Sequence, residues 1–174
     1  MMENWIRNPE VLNEFACHFE TGEKIPKDLM DKYLNCQKFN QGFATTEYIA
    51  ASYLDLAWHT TNNDVDNISD FEDQLYKKIS KPKEIDSRYG STYFNHIFSG
   101  GYSSSYYSYM WSEVLDSSAF EVFEKNGIYD KDSGKKLKEF VYSSGNSKDL
   151  MEQFIKFNGK EPDPQRLLEK RGLA

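Results

Sequence analysis

The sequence has few of the residues and patterns that define several large protein classes. Cys17 and Cys36 are its two cysteines, too sparse for a disulfide framework, so we expect reduced, buried thiols. No run of about 18 apolar residues occurs, which is the length that a membrane-crossing helix needs. Met1 is not followed by the apolar stretch of a signal peptide. These absences predict a water-soluble, cytoplasmic chain.

Charge and aromatic content exclude further classes of partner and of protein. A net charge of −7 and a pI near 5.0 repel phosphate backbones and anionic lipids, so we expect neither nucleic acid nor a membrane as a partner. Mean hydropathy is low at −0.76, but aromatic residues make up 16% of the chain, more than a disordered polar segment carries. We therefore predict one folded domain over 1–174 with a charged exterior.

Apolar spacing and capping signals predict an all-α fold with little or no sheet. Apolar residues recur at intervals of three and four, and no segment alternates with period two for long enough to form a strand. Ser69 and Glu72 have the spacing of a capping box, and Asn126-Gly127 ends the longest predicted helix. The predicted helices begin near Pro9, Pro26, Thr45, Ser69, Tyr102, residue 133, Ser147 and Pro164.

Side chains that could bind a metal or act as a nucleophile lack the required spacing. His18, His59 and His96 are far apart and no His-Glu-x-x-His occurs, so these residues predict no local metal site. A lone helical histidine is more often structural than a ligand, which is our expectation for His18 and His59. The acidic cluster at 64–73 lacks the positions of a calcium loop, and the serines at 103–105 lack the turn of a serine hydrolase.

Three tyrosines form the remaining candidate site. Tyr102, Tyr106 and Tyr109 are spaced four and three apart, which places three phenols on one face of a helix. The preceding Gly100-Gly101 pair permits positive φ and close approach to an extended ligand. A phenol is a neutral donor near pH 7, suited to a carbonyl or an oxyanion. By spacing alone, however, an aromatic face of this kind is more often part of a core.

The segment around these tyrosines resembles a known enzyme family. It contains His96-Ile97-Phe98-Ser99-Gly100-Gly101-Tyr102, and it continues through Tyr106-Tyr107, Tyr109 and Trp111. In this pattern it is similar to the thimet-oligopeptidase and peptidyl-dipeptidase family of zinc metallopeptidases, and more specifically to the bacterial peptidyl-dipeptidases. Further similar stretches are Met2-Glu3-Asn4-Trp5, residues 18–23, Lys38-Phe39-Asn40, Leu56-Ala57-Trp58-His59 and residues 157–163.

The resemblance implies a multi-helix fragment of a zincin-like catalytic domain. In the family, the zinc ligands and the general base precede the Glu-Asn-Trp that stands here as Glu3-Asn4-Trp5, so they would lie upstream of Met1. We therefore expect no metal and no cofactor in this chain, and zinc in the parent enzyme. Since zinc activates the attacking water and the base accepts its proton, we expect the fragment alone to be inactive.

The resemblance also assigns roles to individual residues. Tyr102 and Tyr109 match the family's catalytic tyrosines, of which one or the other would stabilise the oxyanion. His96, Tyr106, Gly100 and Gly101 match positions that bind the substrate, with His96 donating to the peptide backbone. The expected function is thus the substrate-binding part of a peptidase that hydrolyses short peptides, as an oligopeptidase or a peptidyl-dipeptidase.

Two further expectations concern partners. The chain should bind the missing upstream half of the catalytic domain, and an apolar face left uncovered favours self-association of the fragment. The alternative function is a helical interaction module that has kept the fold without the chemistry and uses the tyrosine face to hold peptides or a protein.

Overall fold

The computed structural model describes all residues from 1 to 174 and consists of helices joined by turns. It contains no strand, and the one β-type pairing is an isolated antiparallel bridge between Cys17 and Lys24. A 3-10 turn lies at Ser91–Tyr93 and a π-helical stretch at Leu137–Tyr142. The α-helices are α1 (Glu3–Arg7), α2 (Pro9–Phe15), α3 (Lys27–Cys36), α4 (Gln41–Thr60), α5 (Ile68–Lys78), α6 (Asn95–Phe98), α7 (Ser108–Asn126), α8 (Lys131–Lys136), α9 (Leu150–Asn158) and α10 (Pro164–Arg171). The prediction of an all-α fold is confirmed.

The residues group into two compact units. The terminal unit comprises Met1–Phe39 and Ser112–Ala174, and the central unit comprises Asn40–Trp111. The prediction of one domain over 1–174 stays a prediction. None of the helices combines the length and the apolar content that a membrane crossing requires.

The core of the terminal unit is built around the second half of α7. Phe120 and Phe123 are buried there, and the ring of Trp5 lies edge-on to them at centroid distances of 4.9 and 4.8 Å. The Trp5 indole N–H donates to the carbonyl of Ile128 at 2.9 Å, which satisfies the polar atom of an otherwise apolar side chain. Further buried members of this core are Ala119, Leu137, Phe154 and Phe157.

The core of the central unit forms between α4 and the segment that leads into α7. Leu54, Phe94 and Ile97 are completely buried. The indole N–H of Trp58 donates to the hydroxyl of Ser91 at 2.7 Å, and so ties α4 to the 3-10 turn. This bond satisfies the polar atoms of both side chains at the edge of the core, which would otherwise carry a desolvation cost.

The predicted helix starts near Pro9 and Pro164 are confirmed because their signals are local. The side chain of Asn8 accepts from the N–H of Glu10 ahead of Pro9. Asp163 caps α10 in the same way, and Gly172 ends it with a φ of 69°. Asparagine and aspartate accept from free helix N–H groups, whereas glycine adopts positive φ at little cost.

Three sequence-based predictions are wrong. The long helix begins at Ser108 rather than Tyr102, because Ser104 has a φ of 55°, which a right-handed helix excludes. The cap of α5 is Asn67 rather than a capping box at Ser69, since the Asn67 side chain accepts from two backbone N–H groups. Both cysteines are free as predicted, but they are exposed rather than buried.

Candidate functional site

The predicted site lies in the central unit, in the segment from α6 to the start of α7. The chain leaves α6, passes through Gly100-Gly101 and turns before α7 begins. The N–H of Tyr102 donates to the carbonyl of His96 at 3.0 Å, and the hydroxyl of Ser103 donates to the carbonyl of Ile97 at 2.7 Å. These bonds hold Tyr102 against the end of α6 and fix where its side chain starts.

The two glycines are required for different reasons. A Cβ atom on Gly100 would lie 2.8 Å from the Cα of His96 and 2.9 Å from its carbonyl oxygen, closer than real Cβ contacts come. Gly101 has open space around it but a φ of 80°, in the region that L side chains rarely adopt. Gly100 thus permits close backbone packing against His96, and Gly101 permits the turn.

The structure brings Tyr102 and Tyr109 together. Their rings are stacked, with centroids 5.2 Å apart and an interplanar angle of 12°. A hydrogen bond with Tyr102 and partial desolvation raise the pKa of the Tyr109 phenol to about 12. Tyr109 therefore keeps its proton well into the alkaline range, and 40% of its surface is exposed. Contact between these two side chains was expected from helical spacing, although Tyr102 itself lies outside the helix.

His96 lies half-buried among aromatic rings. Its imidazole is 6.0 Å from the ring of Tyr102 and 5.9 Å from that of Tyr106, both measured between centroids and both edge-to-face. Tyr89 approaches it from another side at 5.4 Å. His96 is thus packed against three aromatic side chains, one of which is Tyr102.

Tyr106 differs from the other two tyrosines because it is buried, with 3% of its surface exposed. Its hydroxyl accepts from the Nε of Arg88 at 3.2 Å, and Arg88 in turn pairs with Glu47 at 3.0 Å. Burial raises the pKa of the Tyr106 phenol, although the neighbouring guanidinium opposes this. Its side chain supports the Tyr109 ring at 5.4 Å. The role of Tyr106 in substrate binding stays a prediction.

Asp55 is a residue of this site that sequence reasoning missed. It lies on α4, is completely buried, and its two carboxylate oxygens accept from the N–H groups of Ser104 and Tyr106 at 2.9 Å each. The Nδ1 of His59 lies 2.9 Å from the same carboxylate. The available signal was a single charged residue within the mostly apolar run at 49–58, which a solvated face would not explain.

The other chemically suggestive residues have structural roles. His18 accepts through Nδ1 from the N–H groups of Glu20 and Thr21 in a turn. Asp130 caps α8 through the N–H of Ser133. No three His, Cys, Asp or Glu side chains come close enough together to hold a metal ion. The residues of this chain thus do not fit a zinc site on their own.

Comparison with known proteins gives one consistent result. Residues 1–173 match the family described as Peptidase family M3. The chain is 33% identical over 175 residues to a dipeptidyl carboxypeptidase of Salmonella typhimurium, covering 98% of this chain and 26% of the relative. It is likewise 33% identical over 175 residues to an oligopeptidase A of Escherichia coli, covering 99% and 26%.

A plant relative extends the comparison. The chain is 33% identical over 184 residues to an organellar oligopeptidase A of Arabidopsis thaliana, covering 99% of this chain and 22% of the relative. The chain therefore spans about a quarter of the length of the relatives it matches.

Proposed function

Because the chain belongs to peptidase family M3, we propose that it is the substrate-binding C-terminal part of a zinc metallopeptidase that hydrolyses short peptides. The names of its relatives, dipeptidyl carboxypeptidase and oligopeptidase A, support both the reaction and the small size of the substrate. The parent enzyme would act as an oligopeptidase or a peptidyl-dipeptidase, in the cytoplasm. The chain alone would be inactive.

One observation carries this proposal: the stacked pair Tyr102 and Tyr109 lies beside His96 in a single segment of the central unit. The three side chains offer two phenol hydroxyls and an imidazole, which are donors suited to a peptide carbonyl. A stripe of core tyrosines would be buried, but Tyr109 is exposed and Tyr102 is half-buried. The pair can thus reach a ligand.

The chemistry follows from the protonation state of the pair. Hydrolysis of an amide builds negative charge on the carbonyl oxygen, and donors held in place stabilise that charge. The Tyr109 phenol keeps its proton well above neutral pH, and the stacking of its ring on that of Tyr102 holds the two side chains side by side. We assign oxyanion stabilisation to Tyr102 supported by Tyr109, and orientation of the peptide backbone to His96.

The backbone around Gly100 and Gly101 would contact the substrate. Gly101 has no atom within 4 Å of the position that a Cβ would take, so an extended peptide could lie flat against it. Gly100 would serve the site by holding His96 in place. In this proposal zinc and the general base come from other parts of the parent enzyme.

Turnover of the parent enzyme tests the proposal. Tyr102→Phe and Tyr109→Phe keep the ring and remove the hydroxyl, so each should lower kcat by roughly 10²-fold or more, as loss of an oxyanion donor does. Tyr107→Phe is the matched control, because Tyr107 lies in the same segment and is half exposed outside the stacked pair. It should keep its turnover.

The opposite result separates this function from the interaction module. If both tyrosine variants keep full turnover, the hydroxyls have no catalytic role. In that case peptide binding to the isolated chain, measured by calorimetry with the same variants, would support the module instead.

A further inference from the structure

The carboxylate of Asp55 occupies an unusual position for a charged group. It is completely buried, and a buried carboxylate costs several kcal/mol unless hydrogen bonds replace its water. Three donors do so: the N–H of Ser104, the N–H of Tyr106 and the Nδ1 of His59. Two of the three belong to the turn between Tyr102 and Tyr109, so the charge is satisfied mainly by the backbone of the candidate site.

The same bonds hold the turn in a conformation that its sequence does not favour. Ser104 has a φ of 55°, and a residue other than glycine pays roughly 1–2 kcal/mol in the left-handed region. The Asp55 carboxylate offsets this cost because it accepts from Ser104 and Tyr106 together. With the turn held, Tyr102 is directed onto the ring of Tyr109.

His59 provides the third contact to the Asp55 carboxylate. It lies one turn after Asp55 on α4, and its Nδ1 is 2.9 Å from the carboxylate and 2.8 Å from the Asp55 carbonyl. This contact restricts the carboxylate to one orientation. Hydrogen bonds therefore connect His59 to Asp55 and Asp55 to the turn, and the turn positions the tyrosine pair.

We propose that Asp55 is a positioning residue for the Tyr102–Tyr109 pair, acting through the backbone N–H groups of Ser104 and Tyr106. It touches no substrate. The inference rests on the proposed function for its effect on turnover, but its structural part, the dependence of the ring contact on the carboxylate, stands independently.

The first experiment uses the chain as described and does not depend on activity. Asparagine at position 55 keeps one acceptor but places an amide donor against one of the two backbone N–H groups. We expect Asp55→Asn to abolish the nuclear Overhauser contact between the rings of Tyr102 and Tyr109. It should also speed hydrogen exchange at the Ser104 and Tyr106 amides. A folded Asp55→Asn chain with the ring contact intact overturns the inference.

A matched control separates positioning from general loss of stability. Glu72 is another carboxylate of the central unit, and it holds a different turn by accepting from the N–H of Ser91 at 2.6 Å and from its hydroxyl at 2.5 Å. Glu72→Gln should reduce stability and yet leave the ring contact between Tyr102 and Tyr109 unchanged. Loss of that contact in both variants would count against a specific role for Asp55.

The second experiment is a double-mutant cycle in the parent enzyme. A 1 Å displacement of a catalytic group can cost about 10²-fold, so Asp55→Asn should lower kcat by about that factor. If Asp55 acts through Tyr102, the double variant with Tyr102→Phe should lose no more activity than Tyr102→Phe alone. Additive losses would contradict positioning. Unchanged turnover in Tyr102→Phe and Tyr109→Phe would instead refute the proposed function, and the ring-contact result would still stand.

If the Asp55→Asn chain does not fold, a second substitution in the same turn can be added. Ser104→Gly removes the cost of the positive φ, so it should recover part of the stability lost in Asp55→Asn. If the pair of substitutions still does not fold, His59→Ala serves instead, since it removes the third donor and leaves both backbone bonds in place. Because both bonds remain, the Ser104 and Tyr106 amides should stay protected and the ring contact should persist. Loss of the ring contact with both amides still protected overturns the inference.

Discussion

The hydroxyl of Tyr48 donates to the backbone carbonyl of Tyr106 at 2.5 Å, and the two rings stack with their centroids 5.3 Å apart. Tyr48 lies on α4. Through this one residue, α4 contacts both the side chain and the main-chain carbonyl of Tyr106. Desolvation, and then the neighbouring Tyr106, raise the pKa of the Tyr48 phenol to about 12. The protonated form is the one that the fold requires.

This pKa predicts a loss of stability in alkali. A folded-state pKa of about 12 against an ordinary value of 10.0 means that the contribution is complete below pH 10 and is lost as the pH rises toward 12. Tyr48→Phe should be less stable than the wild type by about 1 kcal/mol at pH 7 and should lose less on going to pH 12. Urea unfolding at a series of pH values measures both. Parallel curves for the two proteins would contradict this account.

Packing of the Gly100 backbone against His96 predicts a second effect. Gly100→Ala places a Cβ 2.8 Å from the His96 Cα, so the backbone must move, and we expect a loss of about 1–3 kcal/mol. Gly42→Ala is the control, because Gly42 lies in α4 with nothing within 4 Å of its Cβ position. Alanine in that helix should stabilise by up to about 1 kcal/mol. Thermal unfolding of both variants gives the comparison, and equal shifts would refute the close contact.

A charge cluster in the terminal unit predicts sensitivity to acid. Glu121 pairs with Lys125 at 2.8 Å and with Lys160 at 3.2 Å, and these contacts, Lys125 first, hold the pKa of Glu121 below its ordinary 4.5. A lowered pKa stabilises the fold above that ordinary value, and the contribution disappears as the pH falls further. Glu121→Gln should thus be less stable at pH 7 by up to about 1 kcal/mol, and equal to the wild type in strong acid.

The measurement for Glu121 is denaturant unfolding at both pH values. Glu161→Gln removes an exposed carboxylate of the same unit and serves as the control. A difference between Glu121→Gln and the wild type that persisted in acid would show that the loss is one of packing rather than of charge.

Exposed aromatic residues predict self-association of the isolated chain. Phe15 and Phe19 are 67% and 88% exposed in the terminal unit, more than aromatic side chains usually are. The double variant Phe15→Ser with Phe19→Ser should move the population toward monomer, as measured by light scattering at several concentrations. Glu20→Ser alters the neighbouring surface without removing apolar area and should leave the distribution unchanged. A wild-type chain that is monomeric throughout would contradict the prediction.

Sequence patterns predicted those features of the fold that depend on neighbouring residues. Asn8 before Pro9 and Asp163 before Pro164 each cap a helix with a side chain that reaches only two residues along the chain. The partner of Glu72 could not be found in this way. Spacing assigned it to the cap of its own helix, but in the structure it bonds to Ser91, which is 19 residues away.

In the candidate site, too, local contacts were predictable from the sequence and long-range contacts were not. Proximity of Tyr102 and Tyr109 was predicted from a helical period, and the rings do meet, but Tyr102 reaches Tyr109 from a turn. The turn depends on Asp55, which is 49 residues from Ser104. No local rule links such distant positions, so neither the burial of Tyr106 nor the late start of α7 could be predicted from the sequence alone.

The hydrogen bonds at the two ends of the turn before α7 limit how the length of this segment can change in evolution. Ser103 bonds to Ile97 at one end and Tyr106 bonds to Asp55 at the other. One inserted or deleted residue between them would break one of these bonds or reshape the turn, and so move Tyr102 away from the start of α7. Insertions and deletions should therefore be rare here and common in the polar connection at 61–67, where length can vary without moving a tyrosine.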